Sequence, residues 1–355
     1  MTAINHGRRV ASILNGAWRP DAAKLRDGDL ADIARRLQDD GLSSLIWNRL
    51  PPAMRRTRWG REFRQGAIGD SWAAGRLDDI LVAVVAAMRK SGVEPIVTKG
   101  WAVARYYPSP ANRPYGDVDI SVRPDQAVLA REILESFGNG SPVVDLHVGI
   151  PDLGSATWNA VFTRTRLVEL NGFPLRVLAR EDQFQLLVGH LLRHFCNRPL
   201  NLVDIAVLLE GEQDMNWELC LRGSHAWRRW VLATAALARQ LLGAELPDPL
   251  ERQCPARAPS WLESATLWHW GGGDQLNQRA VLSRPCEWWP TIAHRSLNIV
   301  RWAYRFGMPP LRLPQPIWAA AVLGRGLQPI NRVWRGLFKP RRTPQPYQVH
   351  SHPVF

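Results

Sequence analysis

The sequence predicts an α+β fold in which a small α/β unit lies between two mainly helical regions. Short β-branched runs and an Asn-Gly dipeptide are concentrated between residues 92 and 178. Before and after this interval, apolar residues recur at the three- and four-residue spacing of amphipathic helices. The predicted regions are an N-terminal helical region at 1–91, an α/β core at 92–178, a helical domain at 179–289, and a basic extension rich in Trp, Pro and Arg at 290–355.

The N-terminal region is predicted to be helical over residues 21–90. Apolar side chains fall on one helix face over residues 30–37 and again over residues 77–88. The second of these helices should end at Ser91-Gly92, because a pair of cations precedes this dipeptide and favours the carboxyl end of a helix.

The core begins with a β-branched run at residues 94–98, which predicts a strand. Lys99-Gly100 interrupts this strand, and residues 101–107 predict one or two helical turns. The next segment, 108–114, contains three prolines and is therefore predicted to be a loop.

Two further strands follow in the predicted core. Residues 117–122 alternate polar and apolar side chains, as a half-buried strand does, and residues 143–148 form another short strand. A helix between them should begin at Pro124 and end at Gly138.

A hairpin completes the core. Residues 165–178 predict two short strands around the turn Asn171-Gly172. Helical periodicity then returns over residues 184–195 and 202–209, where the helical domain begins.

The composition predicts a soluble, cytoplasmic protein. The four cysteines form no CxxC pair, which argues against a zinc ribbon or a disulfide framework and suits a reducing compartment. We expect no signal peptide and no membrane span, because no run approaches the roughly 18 apolar residues that a span requires.

Positive charge is concentrated in the basic extension. The formal net charge is +13, and residues 290–355 contain ten Lys or Arg and no Asp or Glu. Interleaved Arg and Trp suit contact with RNA or with an anionic membrane surface. The favoured interpretation is a solvated or partly disordered extension without a partner, since composition alone specifies no partner.

Asp117 and Asp119 form the strongest chemical signal. They lie two residues apart on a predicted strand, so their side chains point the same way. Like charges raise each other's pKa, and a divalent cation removes that cost. Asp145 has a similar setting, between Val144 and Leu146. If the two strands pair, three carboxylates converge, which is enough for two metal ions and in-line displacement at phosphorus.

Mg²⁺ (or Mn²⁺) is the expected cofactor, because hard cations combine carboxylate ligands with substrate phosphates. The alternative is that the Asp-x-Asp pair is two solvated acids at a strand edge. The surrounding residues favour the metal site. Gly100 follows a strand and opens a helix, where backbone N–H groups can bind an anion. Lys99 and Arg113 can neutralise a triphosphate.

Three segments resemble the uncharacterised nucleotidyltransferase-like family, within the polymerase-beta-type nucleotidyltransferase superfamily. They are TKGWAV at 98–103, RPYGDVDISV at 113–122 and VDLH at 144–147. Residues 180–194 and 202–206 also resemble the helical region of that family. The similarity covers roughly residues 25–285.

The resemblance implies a mixed sheet with flanking helices, two divalent ions and an NTP as co-substrate. By position, Asp117 and Asp119 would bind metal, Asp145 would complete the site and help to activate the acceptor, and Gly100 would lie against the phosphates. The superfamily usually has Gly-Gly or Gly-Ser where this chain has Lys99-Gly100-Trp101. The interval from Gly100 to Asp117 is also longer than is usual in the superfamily.

Three histidines are candidates for substrate binding. His147 lies two residues after Asp145 and should share its face of the strand. It could orient the metal ligands or face the acceptor substrate. The alternative is a structural histidine at the end of the strand. His190 and His194 share a helix face. They are interpreted as lining the cleft between core and helical domain, with a separate zinc site or a structural role as alternatives.

The expected function is transfer of a nucleoside monophosphate from an NTP to a hydroxyl or phosphate acceptor. The resemblance implies a small molecule, peptide or glycan precursor in a biosynthetic pathway. One alternative is a toxin-like transferase acting on tRNA, with phosphate contacts from the basic extension. Another is a catalytically degenerate fold that only binds, which the three retained carboxylates disfavour.

Overall fold

A computed structural model of the chain describes residues 2–30, 33–137, 143–150, 153, 157–194, 196–211 and 215–272. The basic extension predicted at 290–355 lies outside the described residues, and so does the predicted helix end at Gly138.

Helices make up most of the described chain. Their bounds are α1 Ala3–Leu14, α2 Ala34–Asp39, α3 Ser43–Arg49, α4 Pro52–Arg55, α5 Arg58–Lys90, α6 Gly100–Ala104, α7 Ala127–Ser136, α8 Trp158–Phe162, α9 Arg180–Arg193, α10 Pro199–Glu210, α11 Trp217–Cys220, α12 His225–Leu242, α13 Asp248–Glu251 and α14 Ser260–Trp270. Short 3-10 turns occur at Asp27–Asp29, Pro110–Asn112 and Pro124–Gln126.

The first helix lies within the predicted N-terminal helical region at 1–91, but apolar spacing did not delimit it. Gly7 and the two arginines after it interrupt the apolar spacing of α1, yet Val10, Ile13 and Leu14 are buried. The predicted helical stretch at 21–90 is confirmed only from α2 onward, because the polar Asp27–Asp29 segment forms a 3-10 turn. Helix α5 ends at Lys90 and is followed by Gly92 at φ +78°, which confirms the predicted stop.

Five strands form one mixed sheet, which confirms the α+β prediction. The strands are β1 Ile96–Thr98, β2 Val118–Val122, β3 Val144–Val148, β4 Arg166–Leu170 and β5 Phe173–Val177. Their order is β3-β2-β1-β5-β4. The β2–β3 and β1–β5 pairs are parallel, and the β1–β2 and β4–β5 pairs are antiparallel.

The predicted hairpin joins β4 to β5. Asn171 and Gly172 both have positive φ, at 52° and 80°. Two successive residues with positive φ give the turn whose twist matches that of the flanking strands, and an Asn-Gly pair adopts it with little strain.

Helices α5 and α7 cover one face of the sheet. Their apolar side chains pack in one cluster with Val97 of β1 and with Val118, Ile120 and Val122 of β2. Side chains alternate along a strand, so the intervening Asp119 projects from the opposite face. The covered face therefore supplies the core, and the other face of β2 carries polar groups.

The helical region after the sheet has its own buried core. Helix α10 packs against α9 and α12, and α1 returns to pack against α12 and α14. Two fully buried tryptophans hold this packing with indole N–H donors, Trp230 to the carbonyl of Val188 at 2.9 Å and Trp270 to the carbonyl of Cys196 at 3.0 Å. Within the described residues, every helix is too short or too polar to cross a membrane.

Candidate metal and nucleotide site

The site begins at the pairing of β2 with β3. Because these strands are parallel and in register, Asp119 lies directly opposite Asp145. The structure therefore brings Asp145 beside Asp119. This is the strand pairing on which the predicted convergence of the carboxylates depended. Asp119 is buried, whereas the side chain of Asp145 keeps 57% of its exposure.

His147 joins the two acids. It lies two residues after Asp145 on β3, so the two side chains share a face. Its Nε2 atom is 2.9 Å from Oδ1 of Asp119 and 3.2 Å from Oδ2 of Asp145. One ligand atom from each of the three residues lies within 4.8 Å of the others. We call Asp119, Asp145 and His147 the β2–β3 cluster.

Asp117 lies beside this cluster rather than in it. It precedes the first residue of β2 and is exposed. Although the residue is exposed, partial burial of its carboxyl group and the nearby charges of Asp119 and Asp145 raise the pKa of Asp117, against the opposing effect of Lys99 and Arg113. The acid predicted as a metal ligand is thus within electrostatic range of the other two carboxylates.

Asp119 remains ionised despite its burial. Burial raises the pKa of this carboxyl group, but the hydrogen bond to His147 and the charge of Lys99 outweigh it and bring the pKa below its ordinary value. A buried carboxylate that is charged at neutral pH is suited to binding a cation.

Lys99 supplies a positive charge at this point. Its Nζ atom is 2.6 Å from Oδ1 of Asp119 and 3.2 Å from Nε2 of His147. The backbone of Lys99 has φ 46° and ψ −145°, a conformation that strains a residue with a side chain. Strained residues concentrate at functional sites, and this one holds its ammonium group against the buried acid.

Gly100 brings the start of α6 close to the loop before β2. It has φ +25°, and a Cβ atom added there would lie 3.4 Å from the carbonyl oxygen of Asp117 and 3.5 Å from Cβ of Tyr115. Glycine therefore allows a close approach between the β1–α6 turn and the Asp117 backbone. Tyr115 is held by a hydrogen bond from its hydroxyl to Asp78 of α5.

Arg113 forms an ion pair with Asp204, which the sequence analysis did not identify as its partner. Its Nη2 atom is 2.7 Å from Oδ2 of Asp204, and its Nε atom is 3.1 Å from Oδ1. The hydroxyl of Tyr107 donates to the same Oδ1 at 2.7 Å. Burial works against the charged form of Arg113, but the adjacent Asp204 raises the pKa of this guanidinium above its ordinary value. The predicted phosphate contact of Arg113 stays a prediction.

Asp204 is fully buried on α10. The other residues of 202–209 are apolar. Because a buried charge needs a partner, a single acid in such a run indicates a buried ion pair, and this was the signal in the sequence. Its pairing with Arg113 ties the loop that carries Asp117 to the helical region.

His190 on α9 and His194, one residue after the end of that helix, have ring centroids 4.3 Å apart. Burial, together with the neighbouring His194 and Lys99, lowers the pKa of His190 to about 3, so the imidazole is neutral. Its Nδ1 atom is buried and has no hydrogen-bond partner among the described residues. His190 is within electrostatic range of Lys99 and Asp119, which places it near the β2–β3 cluster. Among the described residues, the β2–β3 cluster is the one group of three side chains that could hold a metal ion, and neither His190 nor His194 is part of it.

Comparison with known proteins gives one match. The sequence model of a family described as uncharacterised nucleotidyltransferase matches residues 40–142 and 139–243, which together span more than half of the chain. No curated protein and no solved structure matches the chain significantly. The matched residues include β1, β2, β3 and the helices that carry His190 and Asp204.

Proposed function

The chain belongs to the uncharacterised nucleotidyltransferase family, and from this we propose that it is a metal-dependent enzyme that moves a nucleoside monophosphate from an NTP to a hydroxyl or phosphate acceptor. The description of the family names nucleotidyl transfer as its activity. The observation that supports the metal-dependent mechanism is the direct pairing of Asp119 with Asp145 in the sheet, with Asp117 two residues before Asp119.

The donor set fits hard divalent cations. Asp119 is an ionised, buried carboxylate, and the pKa of Asp117 is raised by partial burial and then by the charge of Asp119. We propose that Asp117 and Asp119 bind Mg²⁺ or Mn²⁺, with Asp145 completing a site for two ions. When bound, these ions neutralise the triphosphate and stabilise the charge that develops at the α-phosphorus.

The proposed reaction is an in-line displacement. The acceptor oxygen forms a bond to the α-phosphorus of the NTP while the bond from that phosphorus to the bridging oxygen of pyrophosphate breaks. Asp145 is the proposed acceptor of the hydroxyl proton, since its side chain is largely exposed and lies beside Asp119. Pyrophosphate leaves with the electron pair of the broken bond.

Lys99 and Gly100 are the proposed phosphate contacts. Lys99 pairs with Asp119 at 2.6 Å, and its ammonium group would be free to contact the phosphates if Asp119 held a divalent ion. Gly100 is at the start of α6, where unpaired backbone N–H groups favour an anion. His190 and His194 are proposed to line the substrate pocket, and Arg113 to hold the loop before Asp117 from its pair with Asp204.

Label transfer tests the proposal directly. The full chain is incubated with Mg²⁺ or Mn²⁺, each NTP labelled at the α-phosphate, and acceptors that include sugars, peptides, lipid-linked glycan precursors and tRNA. Label on an acceptor identifies both the base and the acceptor class. Label on tRNA would favour the toxin-like alternative.

Substitution of the acids gives the matched controls. Asp117→Ala and Asp119→Ala should each lower the transfer rate by about a thousandfold or more, because several kcal/mol of charge stabilisation at the phosphoryl group is lost. Asp125→Ala should leave it unchanged, since this acid is exposed and paired only with Arg123 at the surface. Transfer that survives both acid substitutions would contradict the mechanism.

A further inference from the structure

We propose that His147 is a direct ligand of one of the two divalent ions, together with Asp119 and Asp145, so that this position binds Mn²⁺ in preference to Mg²⁺. This inference rests on the proposed function, because it concerns the metal that the function requires. It differs from an all-carboxylate site in one donor atom, the imidazole Nε2.

The spacing of the donor atoms fits coordination to one ion. Ligand atoms that sit about 2.1 Å from a metal, at right angles to each other, are about 3.0 Å apart. Nε2 of His147 is 2.9 Å from Oδ1 of Asp119 and 3.2 Å from Oδ2 of Asp145. Both separations match adjacent corners of an octahedral site.

The hydrogen-bonding roles of Nε2 support a cation at this position. The atom contacts two carboxylate oxygens and also the ammonium of Lys99, at 3.2 Å. If Nε2 carries a proton, it donates to the acids but opposes the Lys99 donor. If it carries a lone pair, it accepts from Lys99 but opposes both carboxylates. A metal ion bound by the lone pair and by both carboxylates satisfies all three ligand groups.

The position of the Lys99 ammonium group shows that the cluster already binds a positive charge. Its ammonium contacts Oδ1 of Asp119 and Nε2 of His147, which are two of the three proposed ligand atoms. The side chains of Asp119 and His147 are 6% and 18% exposed, whereas that of Asp145 is 57% exposed. Two ligands are thus anchored inside the protein, and the third faces the open side where water and substrate oxygens can complete the coordination.

Metal preference follows from the donor set. Carboxylate oxygens suit Mg²⁺ and Mn²⁺ alike, but imidazole nitrogen favours transition metals. Replacing one oxygen donor by Nε2 should therefore raise the affinity for Mn²⁺ relative to Mg²⁺. A nitrogen donor can take the place of an oxygen donor here because His147 shares a face of β3 with Asp145.

Pulsed electron paramagnetic resonance of Mn²⁺ bound to the full chain tests the assignment without reference to activity. A directly bound imidazole gives a ¹⁴N modulation of the Mn²⁺ echo, and labelling the protein with ¹⁵N-histidine should replace it by the ¹⁵N pattern. His147→Gln should abolish the modulation and weaken Mn²⁺ binding by about tenfold or more, with a smaller loss for Mg²⁺. Glutamine is chosen because its amide reaches the position of Nε2.

His190→Gln is the matched control, because His190 is the other histidine shown near Lys99 and Asp119. This variant should keep the ¹⁴N modulation. Modulation that is lost in His190→Gln and kept in His147→Gln would overturn the assignment to His147. Mn²⁺ that binds the wild type without any histidine nitrogen coupling would overturn it as well, while leaving the proposed function intact.

Failure of the proposed function gives a different result. In that case the wild type binds neither Mn²⁺ nor Mg²⁺, with or without NTP, and Asp119→Asn gives the same metal-binding result as the wild type. If His147→Gln does not fold, as judged by circular dichroism, the ¹⁵N-histidine experiment on the wild type and the His190→Gln spectrum still decide between the outcomes.

Discussion

Charge at the site is balanced residue by residue. Asp119 is buried and ionised, and Lys99 and His147 surround its Oδ1 atom within 3 Å on two sides. His190 lies near this cluster on α9 but contributes no charge, since burial keeps its imidazole neutral. The site therefore combines the ammonium group of Lys99 with several carboxyl groups. A divalent ion would bring the total charge of the site closer to zero.

The neutral state of His190 predicts a pH dependence of stability. The pKa of His190 is about 3 in the folded chain, against roughly 6.5 in an unfolded one. Between these values the unfolded chain binds a proton that the folded chain does not. Its contribution to stability is therefore present above pH ~6.5 and is lost as pH falls, by up to roughly 1.4 kcal/mol per pH unit.

Urea unfolding at about pH 7 and about pH 5 measures this effect. His190→Gln lacks the titrating group, so its free energy of unfolding should fall less over this range than that of the wild type. The exposed His225→Gln is the control and should keep the wild-type dependence. An equal fall in all three proteins would show that His190 takes up its proton in the folded state.

Loops and helices are joined at the site by a buried polar link. Arg113 precedes β2, Tyr107 follows α6, and Asp204 lies on α10, yet all three meet in one set of hydrogen bonds. The side chain of Arg113 is 11% exposed and that of Asp204 is fully buried. This link connects the element that carries Asp117 with the helical region.

Removing the acid of this link should be costly. Asp204→Ala leaves the buried Arg113 without its counter-charge, and it should lower the free energy of unfolding by about 3–5 kcal/mol. Glu62→Ala removes an exposed ion pair with Arg58, one helical turn away, and should lower the free energy of unfolding far less. Urea unfolding followed by circular dichroism compares the two. A loss below 1 kcal/mol for Asp204→Ala would mean that Arg113 finds water or another acceptor.

The described chain is closed by contact between its first and last helices. Helix α1 packs along α14, and the fit is close because Gly7 carries no side chain. A Cβ atom at Gly7 would lie 1.9 Å from the carbonyl oxygen of Leu267. The two helices can approach this closely only with glycine at that position.

Gly7→Ala should therefore destabilise the whole molecule, by about 1–3 kcal/mol or more, because the helices must separate to admit the methyl group. Gly69→Ala is the matched control on α5, where a Cβ atom would meet nothing within 4 Å. It should stabilise the chain by up to about 1 kcal/mol through helix propensity. Thermal unfolding of both variants distinguishes the two effects. A neutral Gly7→Ala would show that α1 is free to shift along α14.

Much of the fold could be predicted from local patterns. Strand alternation located β2 and β3, and the Asn171-Gly172 turn located the β4–β5 hairpin, because the pattern and the conformation lie within a few residues of each other. Helix α1 was not delimited within the predicted helical region for the same reason. Its burial depends on α14 at the far end of the described chain, and its local apolar spacing is interrupted at Gly7.

The candidate site was predictable in part. The spacing of Asp117 and Asp119 and the resemblance around them indicated the acids and the metal chemistry. The partners of Arg113 were not predictable, since Asp204 is 91 residues away along the chain and only the packing of α10 brings it close. The position of His147 also depended on pairing, because its contact with Asp119 spans 28 residues and exists only in this strand register.

The sequence by itself determined which side chains share a face. Residues two apart on a strand point the same way, so Asp145 and His147 were aligned before any strand partner was known. The tertiary structure alone decided which strands lie side by side. Parallel pairing of β2 with β3, in the register that sets Asp119 opposite Asp145, converted two separate patterns into one cluster of ligand atoms. The physical reason is that strand register follows from the packing of whole faces, here the apolar face of β2 against α5 and α7, and no local segment contains that information.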